Sequence, residues 1–427
     1  DDPNIVEVAL ETPELTNLVA ALQAADGNLV DLLQTDGPFT VLAPNNAAFA
    51  AFLSSNGFDS LDDVPTDVLE AILLNHVIQA DVSSGDLAGL GRGYTSTSAS
   101  GANNLPVSIY FNATNGVRFN NVSAVTDGGA DIDASNGTIH IVDAVIPIPN
   151  IVDHAEANSD FSSLVAGLFA ADGNLINVLN GEGPFTVLAP DNDAFTAFLD
   201  VTPLGEINTT VLTRTLLNHV IGANVSSSDL AALGAGYTNT SVDGPGDNPM
   251  SLYFNTSDGV VFNGISSVSS ADIVGSNGII HAVDAVIALP TVVTFAAADP
   301  NFSTLAGALD ARGFIPVLSR TEGENLDGIN PEFTVFAPTD DAFDDLESIP
   351  EGTVLDNVLL HHVVSEANIA STDLTGNDTV ETLQGDNITI TAPGTGDNIA
   401  DVEDGSGNTD IGIIAVDVQA DNGVIHV

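Results

Sequence analysis

Apolar positions fall into two periods along the chain. Between residues 16 and 33, Leu18, Val19, Leu22, Leu29, Leu32 and Leu33 recur at helical spacing, with Asp26-Gly27 breaking the run. Residues 39–42 are a short apolar run closed by Pro44, which predicts a strand. Residues 45–53 predict a short helix with Asn45 or Asn46 as its N-cap. Residues 65–76 predict a firmer helix, because Val68, Leu69, Ile72 and Leu73 share one face. Residues 107–112 and 117–121 then alternate around Thr114-Asn115-Gly116, the signature of a hairpin. A β-branched apolar run over 138–146 predicts a final strand. Helices first and strands later predict an α+β fold around an antiparallel sheet.

The whole pattern occurs three times. Phe39-Thr40-Val41-Leu42-Ala43-Pro44 returns as Phe185-Thr186-Val187-Leu188-Ala189-Pro190 and as Phe333-Thr334-Val335-Phe336-Ala337-Pro338. Leu74-Asn75-His76-Val77 returns as Leu217-Asn218-His219-Val220 and Leu360-His361-His362-Val363. Asn136-Gly137-Thr138-Ile139-His140 returns as Asn277-Gly278-Ile279-Ile280-His281 and Asn422-Gly423-Val424-Ile425-His426. The period is a domain's length, so each copy can hold its own core. The reading is three tandem domains over 1–149, 150–290 and 291–427. The joints are short: Ile146-Pro147-Ile148-Pro149 and Ala288-Leu289-Pro290 carry no Gly/Ser tract. Short proline-bearing joints predict a rod. The third copy stops one residue after His426, which leaves half a core strand missing. Either the protein continues past Val427, the favoured reading, or a neighbouring chain completes the sheet.

Charge changes the picture more than hydropathy does. Acids number 59 and bases 5, all arginine, for a net charge of −54. A nucleic-acid binder needs a basic face, so that class is excluded. Electrostatic attachment to anionic lipid is disfavoured on the same ground. Without lysine there is no Schiff-base chemistry, and without cysteine no disulfide, thiol nucleophile or thiolate metal site. The longest apolar stretch, residues 278–298, is broken by His281, Asp284 and Pro290, so no span inserts directly into a membrane. The start at Asp1 fits a processed, secreted protein. So large a charge repels itself, and salt relieves the repulsion, so a saline setting or a merely well-solvated secreted protein both fit.

Candidate chemistry is sparse. His76, His219, His362, His140, His281 and His426 sit in apolar settings at matching places, as expected for core histidines donating to backbone carbonyls, with no metal spacing among them. His154 has no counterpart and is expected at the surface. Asp340, Asp341, Asp344 and Asp345 form one acidic cluster, and Asp401, Glu403 and Asp404 lie in another within a Gly-rich loop. Calcium is the cofactor these oxygens would suit, although neither cluster has EF-hand spacing and solvated loops are the commoner case. No Gly-x-Ser-x-Gly elbow is present. Ten Asn-x-Ser/Thr sequons occur, at Asn112, Asn121, Asn136, Asn208, Asn224, Asn239, Asn255, Asn301, Asn377 and Asn387. A glycoprotein is compatible with that count, with Asn136 expected to be structural.

These motifs resemble those of the fasciclin (FAS1) domain family. Residues 39–49 are similar to the family's first box, and residues 136–145 to its second. The family's intervening Tyr-His pair maps to Asn75-His76, Asn218-His219 and His361-His362, with the histidine kept and the tyrosine absent. The resemblance implies wedge-shaped β-sandwiches with helices packed on them, and secreted or surface-attached proteins of adhesion or matrix assembly. It also implies an adhesive dipeptide just before the second box, which maps to Asp131-Ile132, Asp272-Ile273 and Asp417-Val418. The expected function is therefore an extracellular, non-catalytic protein binding a cell-surface or matrix protein or glycan. The alternatives are a head-to-tail filament or surface-layer subunit and, last, an enzyme. In small-angle scattering, the rod reading predicts a skewed pair-distance distribution reaching about 100 Å. A bell-shaped profile of a compact globe would overturn it.

Overall fold

The structure is a computed structural model that describes residues 2–321, 324, 329–404, 406–407 and 410–427. The first copy runs α1 (Ile5–Glu11), α2 (Thr16–Ala24), α3 (Leu29–Leu33), β1 (Phe39–Pro44), α4 (Asn46–Asn56), α5 (Thr66–Leu74), β2 (Val77–Ile78) and α6 (Ser84–Leu90). It continues through β3 (Arg92–Ser100), β4 (Pro106–Asn112), β5 (Arg118–Phe119), β6 (Ser123–Ala124), β7 (Ile132–Ala134) and β8 (Gly137–Val142). Asn45 caps α4 by accepting from the Ala48 N–H at 2.8 Å. Asn4 and Glu7 close a reciprocal cap on α1, a helix too short for its periodicity to stand out in sequence.

The strands form two sheets, ordered β2-β1-β8-β7 and β3-β4-β5-β6. β1 and β8 lie side by side and parallel, from Phe39 opposite Gly137 to Pro44 opposite Val142. This corrects the expectation of a purely antiparallel core. The two boxes begin and end the copy, so the strand that closes it can return in the direction of the first. Successive residues of this pair feed different cores. Phe39, Val41, Ala43, Ile139 and Ile141 pack with the helices. Leu42 and Val142 join Ile109, Phe111 and Phe119 between the two sheets. Burial on both faces is why β1 reads as a continuous apolar run. The third copy repeats the plan, with Phe333 opposite Gly423 in parallel and a separate four-stranded meander starting at Asn377–Glu381.

The second-box residues tie each copy shut. Asn136 accepts from the Ile5 N–H at 2.9 Å, and its amide donates to the Leu33 and Thr35 carbonyls at 2.8 Å each. Asn277 does the same for Ile151, Leu179 and Gly181, and Asn422 for Val292, Leu318 and Arg320. One side chain thus joins the first helix, the end of the third and the last strand. Gly137 follows because a Cβ there would stand 1.8 Å from the Phe39 carbonyl oxygen.

The histidines are structural, in two tautomers. His76 donates from Nδ1 to the Ile72 carbonyl at 2.8 Å, and its Nε2 accepts from the Ile146 N–H at 2.9 Å. His219 repeats this with Thr215 and Ile287. His140 instead donates from Nε2 to the Val82 carbonyl, and its Nδ1 accepts from the Asp131 N–H. His281 and His426 match it on Val225 and Ile369. His362 donates to the Val358 carbonyl. Asn75 adds donors to the Ile146 and Pro147 carbonyls, so the Asn-His pair fastens the joint leading to the next copy.

Contacts divide the chain into two compact units. One comprises Asp1–Asn192, Ala223–Val225 and Ser270–Ala282; the other comprises Asp193–Gly222, Ser226–Ser269 and Val283–Val427. The division passes through the second copy. Among the described residues, no single helix is long and apolar enough to cross a membrane.

Two outcomes follow from these ties. Asn136→Ala strands one donor and two acceptors, and should cost about 2–4 kcal/mol in chemical denaturation. Burial holds His76 and His219 down at about 4, against an ordinary 6.5 when unfolded. Between those values the unfolded chain binds more protons, so stability falls as pH falls. The urea midpoint should decline between pH 6.5 and 5, where most carboxylates remain ionised. A flat midpoint over that window would contradict the assignment.

Candidate functional site

The dipeptides before the second box come first, because they are the implied contact residues. Asp131 takes a left-handed backbone, with φ of 54°, at the start of β7. Its carboxylate accepts from the Ser84 N–H at 2.6 Å and from the Ser84 hydroxyl, where α6 begins. These bonds hold the Asp131 carboxyl below its usual range. Asp417 repeats the arrangement with Ser371. Asp272 donates its N–H to His281 Nδ1 at 3.3 Å. Ile273 and Val418 are buried, and Ile132 is half-buried. The acid therefore helps to fix the turn in each copy, through its carboxylate or its N–H, and the apolar partner packs inward in the second and third.

The acidic clusters also find donors in their own surroundings. Asp340 accepts from the Ser303 hydroxyl at 2.5 Å and the Thr304 N–H at 2.8 Å. Asp401 accepts from the Thr395 N–H and the Asn398 amide, and Asp404 from the Ser406 N–H. Asp341, Asp344, Asp345 and Glu403 are exposed. Among the described residues, no group of three or more carboxylates or histidines converges as a metal cage.

What sequence reading missed is a docking surface used twice. Within the first unit, the β3–β4 face of copy one meets the opening helix of copy two (Ile151–Ala157) and the strand end at Val274. Ser108 Oγ accepts from the Val274 N–H at 2.9 Å, and the Ala102 N–H donates to the Gly275 carbonyl at 2.9 Å. Gly101 is required there, since a Cβ would lie 2.7 Å from the Gly275 oxygen. Tyr94 packs on Tyr110 at 5.2 Å and meets His154 edge-on at 5.6 Å. His154 is fully buried, not at the surface, because this contact covers it; its Nε2 donates to the Val274 carbonyl. Arg92 bridges to Asp160 at 2.9 Å.

Within the second unit, copy two meets copy three in the same way. Ser251 Oγ accepts from the Gln419 N–H at 3.0 Å. Tyr237 packs on Tyr253 and meets Phe295, which stands where His154 does, and its hydroxyl donates to Asp299. Arg214 bridges to Asp421 at 2.6 Å. The signal available in sequence was the pair of similar strands beginning Gly93-Tyr94-Thr95 and Gly236-Tyr237-Thr238. In copy three, the cross-strand pair at that place is Thr379 and Thr389.

The three copies are similar to known proteins. The model of the fasciclin domain matches residues 13–149, 159–290 and 300–427. The pig transforming growth factor-beta-induced protein ig-h3 is 28% identical over 364 residues, covering 84% of this chain and 49% of the pig protein. The chain thus spans about half the length of that relative. The cell surface glycolipoprotein MPB83 of Mycobacterium bovis is 31% identical over 153 residues, covering 35% of this chain and 61% of that protein. Among solved structures, a FAS1 domain pair from the insect cell adhesion molecule fasciclin I aligns at 18% identity and a TM-score of 0.41, covering 65% of this chain and 97% of that one. With three matches that together span nearly all of its length, the chain belongs to the fasciclin family, as three tandem fasciclin domains.

Proposed function

We propose that this protein is an extracellular or surface-attached adhesion protein. It binds a cell-surface or matrix protein or glycan through the outward faces of its repeated domains, without a catalytic step. The observation that carries the reading is the twice-used docking surface. Within each unit it ties the strands of one copy to the helix or strand end of the next by tyrosine packing, a serine–backbone bond and an arginine bridge, so the faces joined there are presented in a set relation. Fixed presentation lets several weak contacts act together, because the second contact forms at high effective concentration. The reading is supported by membership of the fasciclin family and by a bacterial relative named for the cell surface. The surplus of acids keeps such a protein soluble and turns away polyanionic partners.

The test is bead adhesion with the full chain in molar salt. Beads coated densely with the protein should hold to arrays of matrix proteins or glycans about 100-fold more tightly than the same protein in dilute solution. The double variant Tyr94→Ala and Tyr237→Ala should lose most of that gain while keeping the weak solution affinity. No retention on any array, together with turnover of ester or glycoside substrates, would overturn the reading.

A further inference from the structure

The chain carries ten Asn-x-Ser/Thr sequons, and the fold puts most of their side chains to other work. Asn136 spends its whole amide in closing the first copy. Asn121 donates from Nδ2 to the Ala157 carbonyl at 2.6 Å, and Asn301 donates to Asp299 at 3.0 Å. Asn224 has a sealed Oδ1, and the hydroxyl of its own sequon, on Ser226, donates to Asp229. Asn239, Asn377 and Asn387 lie within extended strands, which carry the residue two places on about 7 Å along the chain. The sequon hydroxyls of the last two, on Thr379 and Thr389, turn to each other at 3.4 Å.

Asn112-Ala113-Thr114 is arranged differently. It leads the chain out of β4 into the hairpin. Asn112 Oδ1 accepts twice from Thr114, from the N–H at 3.0 Å and from the hydroxyl at 2.7 Å. Asn112 Nδ2 donates to no group among the described residues and is open to water. Thr114, Asn115 and Gly116 beside it are exposed, so a bulky substituent has room. In the second copy the matching Asn255 accepts from the Ser257 N–H at 2.8 Å, but its Nδ2 donates to the Tyr253 hydroxyl at 3.3 Å. Asn208 caps the helix Thr209–Leu217 through the Thr210 and Val211 N–H groups, without the Thr210 hydroxyl. Among the described residues, no other sequon brings its own hydroxyl onto its amide oxygen.

That arrangement suits the attachment of a sugar. An amide nitrogen is a poor nucleophile, because its lone pair is shared with the carbonyl. Two donors on the oxygen stabilise the charge that gathers there as Nδ2 gives up a proton. From this we infer that Asn112 is a site of N-linked glycosylation. Nδ2 attacks the anomeric carbon of a sugar carried on a lipid-linked diphosphate. The carbon–nitrogen bond forms as the carbon–oxygen bond to phosphate breaks. The phosphate leaves with the bonding pair, and the Nδ2 proton passes to a base of the transferring enzyme. The turn is closed by neighbouring residues alone, so it is available to that enzyme whether or not the rest of the domain has folded. The inference rests on this turn and is independent of the adhesion reading.

The experiment is peptide mass mapping of the protein purified from its native source, with fragmentation that places each sugar on its residue. Asn112 should be the most occupied sequon, about tenfold or more above Asn121, Asn136 and Asn301, the factor that one hydrogen bond supplies in a transition state. Two variants made in the same source accompany it. Thr114→Ser keeps the hydroxyl and should keep the sugar. Thr114→Val keeps the shape without the donor and should lower occupancy about tenfold or more. A bare Asn112 in the native protein would overturn the proposal, whatever the other sequons carry. Occupancy at Asn121 or Asn136 equal to that at Asn112 would overturn the selection by the turn, as would a Thr114→Val protein that is still fully glycosylated.

Discussion

One side-chain amide closes each domain. Asn136, Asn277 and Asn422 each satisfy a helix N-terminus and two carbonyls at another helix's end, from the start of the final strand. Those are groups that helices this short cannot satisfy for themselves. The glycine beside the amide lets the final strand run against the first, and that parallel pair divides the interior into a helix-facing core and an inter-sheet core. The histidines then fasten the loops that leave this centre.

Much of this was legible in sequence. The two boxes, a cap at Asn45 or Asn46 and the hairpin between Asn112 and Arg118 were each marked by local signals, and the structure holds them there, with Asn45 as the cap. The parallel pairing was not, because strand direction is set by topology and a β-branched run carries no arrow. β3 was missed because its Ser/Thr-rich stretch shows no apolar alternation; its inward contacts are made by Thr97 and Ala99. His154 was misplaced because its burial comes from a neighbouring domain, a fact no window around it contains.

The few cations are placed with economy. Arg92 and Arg214 bridge successive domains, and Arg312 holds Asp356 within the third. In a chain with 59 acids, an arginine at a seam offsets repulsion where two acidic bodies are closest. Aromatic packing at each seam supplies the part of the attachment that salt does not screen.

The docking surface joins unlike faces: the meander of one domain receives the first helix of the next. Such a joint has polarity, so the array has a direction in which it was built and a direction in which it can come apart. A domain that melts uncovers its neighbour's tyrosines to water, and the neighbour is weakened in turn. Within each unit, stability is therefore shared between neighbours, as between adjacent members of a row of coupled spins.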